Sequence, residues 1–552
     1  MKMPSILAAL LATTLLGAGQ DKDATRIFES QSDLPAQGKL DELVFTGLEQ
    51  AGIQPANVCS DGVFVRRVYL DVIGTLPTAK EAKAFLLDQD PDKRRVLIDR
   101  LLKRDEFADY WAMKWSDLLR VKAEFPINLW PNAAQAYHRW IRTSLKDNLS
   151  YDRFVRELLT ANGSNFRVGQ VNFYRAVQSK TPEGIAQAVA LTFLGTRADK
   201  WPKERLAGMS AFFLQISTKS TGEWKEEIVS FDPDKAADSS TAGPLPAAAF
   251  PDGTPARLSP DKDPRQVFAD WLISSKNPWF ARNIVNRVWS WLLGRGIIHE
   301  PDDMRPDNPP SNAELLTFLE QELVGAQYDL KHIYRLILNS KTYQLASVPQ
   351  SDKPEAAAKF AHYALRRLEA EVLIDALNQI TGTTEQYSSA IPEPFTFIPD
   401  GQRSIALPDG SITSPFLEQF GRPSRDTGLE SERSNRPTAD QQLHLLNSSH
   451  IQRKIENSPR LQALFASAAV KPAGKNKNPG KPGKFNKPDA SSGAKQSEEV
   501  VTALYLTILS RFPTDAELKT VAEYAQSTSA KREAAVDLAW ALINSAEFLY
   551  RH

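Results

Sequence analysis

Phe107-Ala108-Asp109-Tyr110-Trp111-Ala112-Met113-Lys114-Trp115-Ser116-Asp117-Leu118 is the stretch that decides the fold class. Phe107, Trp111, Trp115 and Leu118 recur at helical spacing, which puts them on one face of an α-helix. The same signal repeats along the chain. Thr181-Pro182 places an N-cap before a proline at the first helical position, and Ile185, Val189 and Phe193 follow on one face. Leu206, Met209, Phe213 and Ile216 continue the helical pattern. Asp263-Pro264 and Asn277-Pro278 repeat the cap-and-proline start, the second ahead of Trp279, Phe280, Ile284, Val288 and Leu292, with Gly294 and Gly296 as the stop. Ser311 to Glu314 and Thr514 to Glu517 read as capping boxes, and Val536, Ala539, Trp540, Ile543 and Phe548 belong to a last helix. The expected fold class is mainly α: two helical domains, a short irregular or β connecting segment and a disordered Lys-rich insert.

Breaks in this pattern set the expected boundaries. Lys2, the apolar run from Ile6 to Leu16 and the small residues Gly17-Ala18-Gly19 predict a signal peptide over 1–19, too short to span a bilayer, so an exported, periplasmic or extracellular protein is expected. Residues 20–38 form a flexible lead-in, 39–217 an N-terminal helical domain, 218–263 a connection with one short strand at Glu227–Phe231, and 264–552 a C-terminal helical domain. Within the last, 391–436 is rich in Pro, Gly and Ser and predicts a long ordered loop. Residues 468–497 carry many lysines and few apolar side chains, a composition that cannot offset its ordering entropy and reads as a solvated spacer.

Charge and cysteine exclude several classes. Lys+Arg 67 balances Asp+Glu 67, so there is no global pull toward nucleic acid or anionic lipid, and no specific nucleic-acid partner is expected. With one cysteine, Cys59, no intramolecular disulfide forms, and a small buried side chain is its expected role. There is no Cys-x-x-Cys-His, no His-Glu-x-x-His, no Gly-x-Ser-x-Gly and no phosphate loop; the seven histidines are scattered, with His444 and His450 poorly spaced for one helical face. The expectation is no metal and no cofactor.

Two charged loops remain as candidates. In Gly421-Arg422-Pro423-Ser424-Arg425-Asp426, followed by Glu430, Glu432, Arg433 and Arg436, guanidinium groups would orient an anionic or sugar substrate through paired hydrogen bonds. Asp426, Glu430 and Glu432 are the candidate acid–base carboxylates for glycoside chemistry. The competing reading is an ion-pair network that locks the loop onto helices. The second loop, His299 to Asn308, gathers oxygen donors without the spacing of an EF-hand, which favours capping and salt bridging; Arg305 lies in it, and Asn286 and Arg287 are placed to reach it.

Two long stretches carry a family likeness. Phe64 to Asp71 with Gly74-Thr75-Leu76-Pro77-Thr78 resembles domain-of-unknown-function family 1549. Asn277-Pro278-Trp279-Phe280-Ala281-Arg282 through Asn286-Arg287-Val288-Trp289, Gly294-Arg295-Gly296 and Arg305-Pro306 to Pro310 resembles the companion family 1553. Tyr328 to His332, Ser340-Lys341-Thr342-Tyr343-Gln344, Arg366-Arg367-Leu368 and Phe420-Gly421-Arg422-Pro423 extend it. The resemblance implies an exported bacterial protein of planctomycete type, of a group often joined to cytochrome c-like modules. Many such proteins carry a Cys-x-x-Cys-His-like element after Phe-Leu-Gly; here Phe193-Leu194-Gly195 runs into Thr196-Arg197-Ala198. The expected function is therefore that of a non-haem binding or scaffold protein of the cell envelope, with polysaccharide or other envelope proteins as partners. The alternative is an enzyme acting on extracellular glycans, with Arg422, Arg425, Arg433, Arg436, Arg287 and Arg305 holding substrate.

Overall fold

In the computed structural model the described residues are 27–30, 36–236, 247–259, 262–467, 490–528 and 531–552. The expected signal peptide and residues 468–489 of the lysine-rich insert lie outside them, and helical structure resumes at Ala490. The architecture is helix packed on helix, with a three-stranded antiparallel sheet in the order β1–β3–β2 and a two-stranded β4–β5 ladder. These strands are β1 (Gly163–Ser164), β2 (Ile216–Ser220), β3 (Glu227–Phe231), β4 (Arg366–Arg367) and β5 (Tyr550–Arg551).

The helix Asp105–Leu118 buries more than the face its spacing predicts. Phe107, Trp111, Trp115 and Leu118 are buried, and so are Tyr110, Met113 and Lys114 on the other side. A helix covered all round lies inside the molecule rather than on it. Trp111 packs at 4.4 Å from Tyr334 and 5.4 Å from Trp291, and Trp115 at 5.1 Å from Phe154. Since Tyr334 and Trp291 come from the second helical region, the two regions share a hydrophobic core running from Leu40 to Phe548.

Several start and stop signals hold. Thr181 caps Pro182–Val189, Asp263 caps Pro264–Leu272, Gly294 ends Phe280–Leu293 in the left-handed conformation, and Thr514 and Glu517 form the capping box. Others shift. Asn312, not Ser311, caps Ala313–Gly325, because Ser311 turns its hydroxyl to the Ile297 carbonyl. Ile216 opens β2 rather than ending a helix: it pairs with Phe231 across the sheet, so tertiary pairing overrides the local helical period. Cys59 is buried, as its flanks suggest.

The histidines show what linear spacing misses. His444 and His450 meet ring to ring at 5.8 Å because the chain breaks at Ser448 between two short helices. Among the described residues, no group of three or more His, Cys, Asp or Glu is arranged to hold a metal ion, and no helix is long and apolar enough to cross a membrane.

His138, buried in the helix Pro131–Lys146, has no hydrogen-bond partner at Nε2. Burial, with Arg425 and Arg142 adding repulsion, pushes its pKa down to about 3. The unfolded value is about 6.5, so stability from the neutral ring is full above that pH and is lost as pH falls toward the folded value. His138→Gln is expected to flatten the decline in stability between pH 6.5 and 4. An unchanged slope in urea titrations across that range would remove His138 from the account.

Candidate functional site

Arg422, Arg425, Arg433, Arg287 and Glu430, all singled out in the sequence, join other charged groups around the core helix in three connected tiers. The deepest is centred on Asp71, from the buried helix Asp61–Ile73. Its carboxylate accepts hydrogen bonds from Tyr343 (2.9 Å), Tyr363 (2.8 Å) and Arg551 (2.9 Å). Arg551 also donates to Glu369 at 3.1 Å, and Glu369 pairs with Lys114. Burial would raise the Glu369 carboxyl, but Lys114 and Arg551 outweigh it and hold it well below the usual range. Glu369 stands at the N-cap position of the helix Ala370–Thr381, its side chain turned to Lys114 and Arg551 rather than to the helix, and Glu371 lies in the first turn, where the helix dipole favours negative charge.

The middle tier joins the first helical region to the 422–433 loop. Arg433 donates to Asp117 at 2.7 Å and to Glu371 at 2.7 Å. Arg425, fully buried, donates to the other oxygen of Asp117 at 2.8 Å. Arg422 lies 3.6 Å from Glu371 and donates to the backbone carbonyls of Asp409 and Ile412. Burial alone would raise Asp117 and Glu371; the arginines reverse it and lower both. The loop reaches this position through close backbone approaches. A Cβ on Gly421 would meet the Ser434 carbonyl at 2.0 Å, and one on Gly428 the Leu118 carbonyl at 2.6 Å. Both glycines have positive φ, so larger residues would be strained there as well as crowded.

The outer tier links Arg287 to Asp302 at 2.8 Å, as the proximity of Asn286 and Arg287 to the 299–308 loop leads one to expect. Asp302 accepts from the Glu430 backbone N–H at 2.7 Å, and the Glu430 carboxylate accepts from the Trp291 indole at 3.1 Å. Glu430 sits at the mouth of a narrow cleft lined by Lys114, Asp117, Trp291 and Arg433, with about 10 Å³ of open space. That is room for about one water. Burial raises the Glu430 carboxyl above its ordinary range, although Lys114 and Arg287 oppose the effect. Its side chain is 32% exposed and lines the cleft, while one carboxylate oxygen is held by the Trp291 indole.

The remaining candidates lie around this mouth or away from it. Asp426 pairs with Lys122 at 2.7 Å. Glu432 accepts from the Thr427 N–H and hydroxyl at 2.6 and 2.7 Å and so ties its own loop. Arg305 pairs with Asp303 and Asp307 in the separate 299–308 loop, and Arg436 is exposed. The structure therefore gathers Arg422, Arg425, Arg433, Arg287 and Glu430, and leaves Arg305 and Arg436 outside. Sequence reading passed over Asp71, Lys114, Asp117, Glu369, Glu371 and Arg551 as site residues, whereas Asp302 lay in its second candidate loop. A usable signal existed for two of them: Lys114 stands between Met113 and Trp115, and Asp71 follows Tyr69-Leu70 in an apolar run.

Residues 39–216 match the family model PSCyt2, described as a protein of unknown function (DUF1549), and residues 264–525 match PSD1, a protein of unknown function (DUF1553). The chain pairs these two families. No curated protein and no solved structure matches it. The two matched segments meet in the charge network. Asp71 of the 1549 segment meets Tyr343 and Arg366 of the 1553 segment, and Arg67 donates to the Tyr343 carbonyl at 2.6 Å. Asp117 of the first is held by Arg425 and Arg433 of the second. In this chain the two matched segments are thus joined through charged groups inside the fold.

Proposed function

We propose that this chain is an exported, non-haem binding protein of the cell envelope whose ligand is a polysaccharide. One observation counts against hydrolysis at the 422–433 cluster and favours sugar contact elsewhere on the chain. Arg425 and Arg433 of the 422–433 cluster are paired with Asp117 and Glu371 of the helices behind it, Asp426 with Lys122 and Glu432 with its own loop, around a cleft with room for about one water. A sugar ring needs both a larger space and unpaired groups to recognise it. Export rests on the basic start, apolar run and small residues of positions 1–19, and the absence of haem on the missing Cys-x-x-Cys-His-like element. Fractionation of cells expressing the full chain tests the first, and a Soret band in the purified protein would overturn the second.

A second reading has Glu430 as general acid of a glycan-cleaving enzyme, favoured by its raised carboxyl and its part-exposed place on the cleft lining. Incubation with neutral and acidic polysaccharides separates the two. Binding without release of reducing ends is expected, and Glu430→Gln is expected to bind as the parent does. Reducing-end release that disappears in a folded Glu430→Gln protein would replace the binding reading with the enzymatic one.

A further inference from the structure

The segment read from sequence as a mere connection walls a second and much larger concavity. It lies between the start of the helix Lys203–Ser210, the loop 249–253 and Trp279, and measures about 710 Å³. That is within the usual range of ligand sites. Its position is fixed by backbone contacts: Ala249 N–H donates to Gly208 O at 3.1 Å, and Phe250 N–H to Thr254 O at 2.9 Å. A run of rings stands behind it. Phe250 lies parallel to Trp271 at 5.0 Å, and Trp271 is 6.1 Å from Trp279, which is half-buried on the groove wall.

Polar groups stand beside these rings. Arg205 lies over the Trp201 ring at 3.8 Å, and its Nε donates to the Pro251 carbonyl at 2.8 Å. Those two contacts hold the guanidinium on the groove lining. Asp252 accepts from the Trp271 indole at 3.3 Å, and Glu204 is exposed at the helix start with no ion-pair partner among the described residues.

We propose that this groove is a binding site for neutral hexopyranose chains. The C–H face of a pyranose is apolar and rests on an aromatic ring, whereas its equatorial hydroxyls present paired donors and acceptors. The groove supplies both in one place: Trp279 as platform, Arg205 as donor, Glu204 and Asp252 as acceptors. The charge balance selects the class. Two carboxylates against one guanidinium repel sulfated or uronic polymers and leave neutral sugars. The inference rests on the polysaccharide reading above and gives it a location remote from the 422–433 cluster.

The test uses the full mature chain and gluco-, manno- and galacto-hexaoses, with a sulfated hexaose series alongside, read by calorimetric titration. The parent is expected to bind at least one neutral series and no sulfated one. Trp279→Ala is expected to weaken that binding by about tenfold or more, the equivalent of 1.4 kcal/mol, and Trp279→Phe to restore most of it. Glu204→Lys changes an exposed side chain, so folding is retained even if the tryptophan variant fails to fold, and is expected to weaken neutral-sugar binding severalfold. Binding that persists unchanged in both Trp279→Ala and Glu204→Lys overturns the groove and spares the polysaccharide reading. Binding that is lost instead in Trp224→Ala, a 69% exposed ring at the tip of the β2–β3 hairpin, also overturns it. Absence of all binding by the parent overturns both.

Discussion

Replacing Asp71 with alanine is expected to cost about 3–5 kcal/mol of global stability, the usual penalty for removing one member of a buried charge network. The magnitude follows from what is left behind. Asp71 is the common acceptor of the Tyr343 and Tyr363 hydroxyls and of Arg551, and it lies 3.6 Å from Arg366. Arg551 is 2% exposed, so its guanidinium cannot turn to water without unpacking the β4–β5 ladder. Tyr343→Phe removes only one donor to a carboxylate that keeps its other partners, and is expected to cost about 1 kcal/mol. Urea midpoints of the two variants check the contrast. A loss below about 1 kcal/mol for Asp71→Ala would mean that Arg551 finds water after all.

Arg433→Ala is expected to cost a similar amount, about 3–5 kcal/mol at neutral pH, since it leaves Asp117 and Glu371 buried with their shared partner gone. Arg433→Lys is expected to recover less than half of that, because a single ammonium cannot reproduce a fork that contacts two carboxylates at once. The effect has a pH signature with a definite sign. Asp117 and Glu371 are held below their ordinary range in the folded chain, so their contribution is present above the unfolded values near 4 and is lost as pH falls through the folded ones. The stability difference between parent and Arg433→Ala should therefore shrink as the pH is lowered from about 5 to about 2. A difference that stays constant over that range would assign the loss to packing rather than to charge.

How much of this was legible in the sequence depends on the range of the interaction. The helix signals at Thr181-Pro182, Asp263-Pro264 and Thr514–Glu517 are local: donor, acceptor and backbone lie within four residues, and they came through. Glu227–Phe231 was legible as a strand for the same reason, while Ile216, whose partner is Phe231, was not. The arginines of 422–433 were recognisable as a charge cluster, but not as an internal one, because Asp117 and Glu371 stand hundreds and tens of residues away on helices whose apolar faces dominate the pattern. Lys114 and Asp71 were the readable exceptions. A lone charge amid apolar residues on every helical face has no exit to solvent and must find a buried partner. The groove beside Trp279 was invisible for another reason: its wall is a segment without period, and concavity leaves no trace in linear composition.

The β4–β5 ladder bears on the order in which the chain is made. Asp71 and Arg551 are 480 positions apart. A ribosome, or a translocation pore delivering the chain from its first residue, presents the acceptor long before the donor. Tyr343, Tyr363 and Arg366 emerge within that interval, so the carboxylate of helix 61–73 gains partners before Arg551 arrives. The set of bonds around Asp71 is therefore complete only once position 551 has been made.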